Sequence, residues 1–127
     1  MNLSFSTRGW GDLSWEELLQ NALDMKFSGI EVYNLFKFPD LTGKGGPFDP
    51  HKMAATVRQL KEKNLTIPCF DTSCDLSVDE GGVAELRTLM EAAHNARVKY
   101  VSAVALTDNE EFFKQNLSDL LVDARTF

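Results

Sequence analysis

One pattern constrains this chain more than any other: a strand-like segment followed by a helix-like segment, four times over, at a loose period of about 35 residues. The first unit opens with Asn2-Leu3-Ser4-Phe5-Ser6-Thr7, where apolar and polar residues alternate as in a half-buried strand. After a loop at Arg8-Gly9-Trp10-Gly11, Ser14 and Glu17 form a capping box that starts a helix. Trp15, Leu18, Leu19, Ala22 and Leu23 give that helix one apolar face, and Gly29 is expected to end the segment. Ile30 to Tyr33 reads as the second strand. The third strand spans Leu65 to Phe70, and Pro68 predicts a local irregularity because proline has no ladder N–H. The fourth strand spans Tyr100 to Leu106.

The connections carry equally specific signals. Residues 34–48 form the longest loop, rich in Gly and Pro, which predicts a flexible lid. Asp49-Pro50 predicts a helix start, with Met53, Val57 and Leu60 on its buried side. Residues 79–82 lead into a helix with Val83, Leu86, Met90 and Ala93 inward. Thr107 and Glu110 predict a second capping box, before a helix that buries Phe113, Leu117, Leu120, Leu121 and Ala124.

Strands alternating with helices of this length imply a parallel α/β sheet with right-handed crossovers. Such a repeat closes into a barrel at eight units and roughly 250 residues. The 127 residues supply four units, so the expected fold is one domain, residues 1–127: half of a (β/α)8 barrel, strand order 1-2-3-4, helices on the outer face. The inner sheet face is expected to be apolar, carrying Phe5 or Leu3, Ile30 or Val32, Ile67 or Cys69, and Val101 or Val104. That exposure and the open sheet edges predict association, either as a homo-oligomer or with a complementary half-barrel.

Net charge is -6 and the pI is near 4.8, which disfavours binding to a phosphate backbone. No apolar run reaches the roughly 18 residues of a membrane span, and residues 1–11 carry no signal-peptide pattern. A cytoplasmic protein is the expectation. Cys69 and Cys74, spaced C-x4-C, read as free thiols rather than a zinc pair. Thr42-Gly43-Lys44-Gly45-Gly46 lacks the spacing of a phosphate-binding loop. His51 and His94 lie within helical segments and read as surface residues.

In this architecture chemistry sits at the C-terminal ends of the strands. That criterion selects Arg8, Trp10, Tyr33, Asn34, Asp71, Ser73 and Cys74 as candidate substrate-binding residues. Trp10 and Phe36 offer aromatic faces on which a ligand could stack, or simply cover the barrel mouth. Arg8 could hold a phosphate or carboxylate, or form a structural ion pair. Glu31 faces either the barrel interior or the helix layer. No catalytic residue is assigned.

Phe27-Ser28-Gly29-Ile30-Glu31-Val32 resembles the Gly-Ile-Glu element that opens strand two in xylose isomerase-like TIM barrels. Leu3 to Thr7 is similar to their first strand, and Ala96 to Val101 to their junction of helix and fourth strand. The resemblance implies a sugar or sugar phosphate isomerase or epimerase fold, of which this chain matches the N-terminal half. It implies that a divalent metal, Mn or Mg, would be held by Glu, Asp, His and Glu on strands five to eight. No metal ligand and no other cofactor is therefore expected within this chain. The DNA-repair branch of the same superfamily draws metal-binding histidines from strands three and four. Here those strand ends read Phe70-Asp71-Thr72-Ser73 and Ala105-Leu106-Thr107, without histidine. Two functions follow as expectations: half of a sugar isomerase or epimerase-like barrel, inactive alone, or a non-catalytic half-barrel that pairs with itself or a second half.

Overall fold

A computed structural model describes residues 1–79 and 82–127. Residues 80 and 81, part of the expected lead-in to the third helix, lie outside the described residues. The elements run β1 (Ser4–Ser6), α1 (Trp15–Asp24), β2 (Gly29–Tyr33), α2 (Pro39–Thr42), α3 (Met53–Glu62), β3 (Cys69–Asp71), α4 (Val83–Ala96), β4 (Tyr100–Val101) and α5 (Glu110–Ala124). Short 3-10 turns follow β1 (Thr7–Gly9) and β2 (Leu35–Lys37). The four strands form one parallel sheet in the order β1-β2-β3-β4. Each crossover steps the same way along the sheet, so right-handed connections stack the helices on one side. This is half of a (β/α)8 barrel.

Burial identifies the helix side. Ile30, Val32 and Phe70 are wholly buried. Phe48 wedges between Trp15 and Phe70, edge to face, at 5.2 and 5.6 Å between ring centroids. Register places Phe5 opposite Ile30, Val32 opposite Phe70, and Phe70 opposite Val101, so these side chains share the helix-facing side. The expectation of an apolar inner face is corrected here. Phe5, Ile30, Val32 and Val101 all turn toward the helices. Of the four expected pairs, the β1 and β2 pairs turn wholly to the helices, whereas Cys69 and, by strand alternation from Val101, Val104 fall on the inner face, beside Ser6, Glu31, Tyr33, Asp71 and Ser102.

Pro68 produces the expected irregularity in a definable form. Gly29 bridges Thr66, and Val32 pairs with Phe70. Three residue steps in β2 thus match four in β3, which is a β-bulge. Because a one-residue slip reverses every side chain, the bulge lets both Ile67 and Phe70 point to the helices. Gly29 sits where β1, β2 and β3 crowd together. A Cβ there would lie 2.7 Å from Ser4 Oγ and 2.8 Å from the Thr66 carbonyl oxygen.

Ser14 and Glu17 form the expected reciprocal capping box. Other helix limits differ from expectation. The segment after α1 ends at Lys26, not Gly29. Lys26, Asn64 and Arg97 each take a left-handed φ of 60°, 53° and 59°. The next N–H in each case reaches back to the last full turn: Phe27 to Ala22, Leu65 to Leu60, Val98 to Ala93, at 2.8–2.9 Å. These are Schellman closures, each followed by an apolar residue. Asp49-Pro50 does not start α3. The Asp49 carboxylate instead accepts from the N–H groups of Gly45 and His51, a turn that displaces the helix to Met53. The loop 34–48 is folded rather than a free lid, since Leu35, Leu41 and Phe48 are all in the core. Asn109, not Thr107, caps α5 through the Phe112 N–H; the Thr107 hydroxyl bonds Ser77 instead.

The last helix also departs from expectation. Of Phe113, Leu117, Leu120, Leu121 and Ala124, only Leu120 is buried, while Leu117 and Leu121 are 37% and 49% exposed. Asn116 anchors α5 by donating to the carbonyls of Leu76 and Val78, both at 3.0 Å. Arg87 ties it to α4 through Asp123 at 2.5 Å. The helix therefore hangs beyond β4, over a groove.

Candidate functional site

Parallel strands place every C-terminal end on one rim, and the register aligns Tyr33 with Asp71 and sets Ser102 one step past the Phe70–Val101 pair. On the inner face this gives a continuous polar surface of Ser6, Glu31, Tyr33, Cys69, Asp71 and Ser102. The Ser102 hydroxyl donates to the Asp71 carboxylate. Burial, then the Glu31 carboxylate, push the Cys69 thiol above its ordinary range; Asp71 adds to this and Ser102 opposes it. Both carboxylates thus act on the same inward-facing thiol. A thiol pushed in that direction is a poorer nucleophile than an ordinary cysteine.

The candidate residues divide into two groups. Tyr33 and Asp71 stand on the inner face at the rim. Arg8 joins them from the turn after β1, its guanidinium 5.0 Å from the centre of the Tyr33 ring, a cation–π contact. Ser73 is exposed on the rim, and Lys37 donates to its hydroxyl at 3.3 Å. Arg8 and Lys37 give the rim two cations in an otherwise acidic molecule.

Trp10, Asn34 and Cys74 are placed differently. Trp10 lies against Phe5, 5.1 Å between centroids, on the helix-facing side of β1. Asn34 is buried, with φ 48°, and its side-chain carbonyl accepts from the Ser73 N–H (3.0 Å), the Ser73 hydroxyl (3.2 Å) and the Thr72 hydroxyl (3.3 Å). It is a clip between the ends of β2 and β3, reinforced by its own N–H on the Asp71 carbonyl. Cys74 is buried against Gly82, whose φ of +69° and lack of a Cβ allow the close approach. Burial pushes its thiol up, with Thr72 the largest opposing influence. Phe36 is half-buried against the core.

Sequence reasoning left Glu31 open between two faces, named Cys69 only as an alternative to Ile67 on the inner face, and passed over Ser102 and Lys37. The signal for Ser102 was present: it is the one polar residue in the run from Tyr100 to Leu106 apart from the tyrosine hydroxyl. Among the described residues, no three His, Cys, Asp or Glu side chains converge to hold a metal ion. The inner face offers Glu31 and Asp71, and Asp71 already accepts from Ser102. Tight Mn or Mg binding needs more oxygen ligands than this, so the residues present do not by themselves fit such a metal. No described helix is long and apolar enough to cross a membrane.

A half-barrel of parallel βα units with a polar inner wall and a cationic rim defines the architectural class: this chain folds as one half of a (β/α)8 barrel. Among solved structures it is similar to the probable 3-DHS dehydratase AsbF, involved in petrobactin synthesis, from Bacillus anthracis, at 18% identity and TM-score 0.71, covering 98% of this chain and 49% of that one. It is similar to a xylose isomerase domain protein from Planctomyces limnophilus, at 12% identity and TM-score 0.64, covering 99% and 49%. A third is protein SMc04130 from Sinorhizobium meliloti 1021, at 13% identity and TM-score 0.70, covering 98% and 47%. The chain thus spans about half the length of the solved structures it matches. No protein-family profile and no curated protein matches the sequence.

Proposed function

We propose that this chain is the N-terminal half of a sugar or sugar phosphate isomerase or epimerase-like barrel and contributes one wall of its sugar pocket. The observation that carries this reading is the polar inner face. A barrel lumen that is only packed core is filled by branched apolar side chains; here Glu31, Tyr33, Asp71 and Ser102 line it instead. Hydroxyl-rich ligands need such donors and acceptors. Arg8 and Lys37 on the rim suit a phosphate group. The divalent metal of this reading would take its ligands from a second half and would polarise the sugar oxygen. The likeness to a xylose isomerase domain protein supports a sugar-type ligand. The test is an amide NMR titration with a ketohexose and its 6-phosphate. Millimolar binding should shift Arg8, Tyr33, Asp71 and Ser102, the phosphate more strongly at Arg8. Shifts confined to the helix side, or none at tens of millimolar, would count against the reading.

A second reading, a half-barrel whose role is to pair with another half, is favoured by the apolar groove beside β4. It places the protein at a protein–protein contact and needs no chemistry on the inner face. A cytoplasmic setting suits both readings, and the acidic charge disfavours nucleic acid as a partner.

A further inference from the structure

We propose that the groove beside β4 receives the β1 edge of a second copy of this chain, so that two copies close one eight-stranded barrel. This deepens the pairing reading above by fixing the partner and the contact.

The groove has a volume of about 1170 Å³ and lies between α4, α5 and the free edge of β4. Its apolar wall includes Leu86, Met90, Phe113, Leu117 and Leu121. Its floor is a strand edge. Ser102 N–H donates to the Phe70 carbonyl and Val104 N–H to the Cys74 carbonyl. Backbone groups alternate along a strand, so the N–H and C=O of Val101 and Ala103 face the groove. An apolar trough along an unpaired strand edge fits an extended chain with apolar side chains on one side and polar ones on the other.

β1 has that pattern, and its free edge has matching groups. The Leu3 carbonyl accepts from Ser28 N–H on the β2 side, so Ser4 and Ser6 present their backbone groups outward. Leu3 and Phe5 share the helix-facing side, where Leu3 is 56% exposed. Ser4 and Ser6 share the inner face. Set parallel to β4, β1 of a second copy would turn Leu3 and Phe5 toward Leu117 and Leu121. The same placement would turn Ser4 and Ser6 into the lumen beside Ser102. Side-chain parity and hydrogen-bond parity are satisfied together.

The register follows from closure. A barrel of eight strands has a shear of about eight residues, so each half contributes about four. Extending the observed pairing back along the sheet sets Val101 level with Thr7 of its own chain. Shifted by about four residues, it meets Leu3 of the second copy, and Ala103 meets Phe5. The two-fold axis then runs along the barrel, both β4–β1 seams are equivalent, and no edge remains for further addition. Four strands from each copy match the eight-strand architecture, of which this chain covers 47–49% in its structural neighbours.

Light scattering across a dilution series is the primary measurement. Twice the 14.2 kDa chain mass is expected at 100 micromolar. Leu3→Glu and Leu117→Glu should each give monomer with an unchanged far-ultraviolet circular dichroism spectrum. Val122→Glu, on the exposed side of α5 away from the groove, should leave the dimer intact. The double variant Leu3→Cys, Val101→Cys should form an intermolecular disulfide on mild oxidation. A monomer of the unsubstituted chain at that concentration, or a dimer indifferent to both Glu variants, overturns the proposal. A synthetic peptide of residues 1–12 then separates the two claims. Peptide binding by a monomeric chain means that the groove takes a strand but not from a second copy; no binding removes the pairing reading as well.

Discussion

Asn34 shows how far a single residue can mislead from sequence and then inform from structure. Its position after β2 placed it on the substrate rim, yet its carbonyl is spent on three internal donors and its backbone lies in the left-handed region. Asparagine tolerates that region better than most residues. Asn34→Ala should therefore cost about 2–3 kcal/mol, from lost acceptors inside the fold and from a strained φ. Urea unfolding followed by fluorescence reads this directly, and an effect under about 0.5 kcal/mol would show the clip to be dispensable. Asp75 works similarly between the loops after β3 and β4. It accepts first from the Ser77 hydroxyl and N–H, then from Leu106 N–H, and these hold its carboxyl below the usual carboxylate range. A depressed folded-state pKa gives stability that is present above the unfolded value, about 3.9, and lost as pH falls through the folded value. The stability gap between the native chain and Asp75→Asn should thus be flat from pH 5 to 8 and shrink below about pH 4. A gap that widens in acid would reverse the sign of this account.

At the scale of elements, three helices end by the same device. The left-handed residues Lys26, Asn64 and Arg97 close α1, α3 and α4, each leading to an apolar residue that starts the return to the sheet. Glycine occupies such positions most comfortably, with asparagine next; Asn64 carried that signal, but Lys26 and Arg97 gave none, and Gly29 drew the first boundary instead. Gly29 serves the close approach of three strands. Lys26→Gly and Arg97→Gly should each raise stability, by up to about 1 kcal/mol, since the left-handed penalty on a side chain is removed. A loss in thermal midpoint for both would mean that their side chains contribute more than their backbone costs. What the sequence did show was the order of elements, because alternation and helical periodicity are local signals. The bulge in β3 was visible only as an awkward proline; its effect on which side Ile67 and Phe70 face depends on pairing with β2, a non-local fact. The buried face of α5 was misjudged for the same reason. An apolar stripe predicts what a helix covers when something lies beneath it, and beneath Leu117 and Leu121 there is a groove.

For the whole molecule, the central difference is between an expected apolar lumen and an observed polar one. The apolar residues of β1 and β2 were read as sharing one face of a sheet, as they do, but period-two alternation does not say which face meets the helices. Burial decides it, since a half-barrel has helices on one side only. That assignment also bears on metal binding. Among the described residues, Glu31 and Asp71 are the two carboxylates on the inner face, and Asp71 shares an oxygen with Ser102. Even in a closed pair the two-fold axis would put equivalent carboxylates on opposite walls, where they would not converge on one ion. We therefore propose that this chain alone holds no tight Mn²⁺ or Mg²⁺. Titration with Mn²⁺, followed by water proton relaxation, should give at most weak, millimolar binding that Glu31→Gln and Asp71→Asn reduce only slightly, because tight sites need several converging oxygen or imidazole ligands. Stoichiometric micromolar binding abolished by either substitution would mean that the inner face assembles a metal centre without a second half. It would move the catalytic machinery of this fold onto the strands described here.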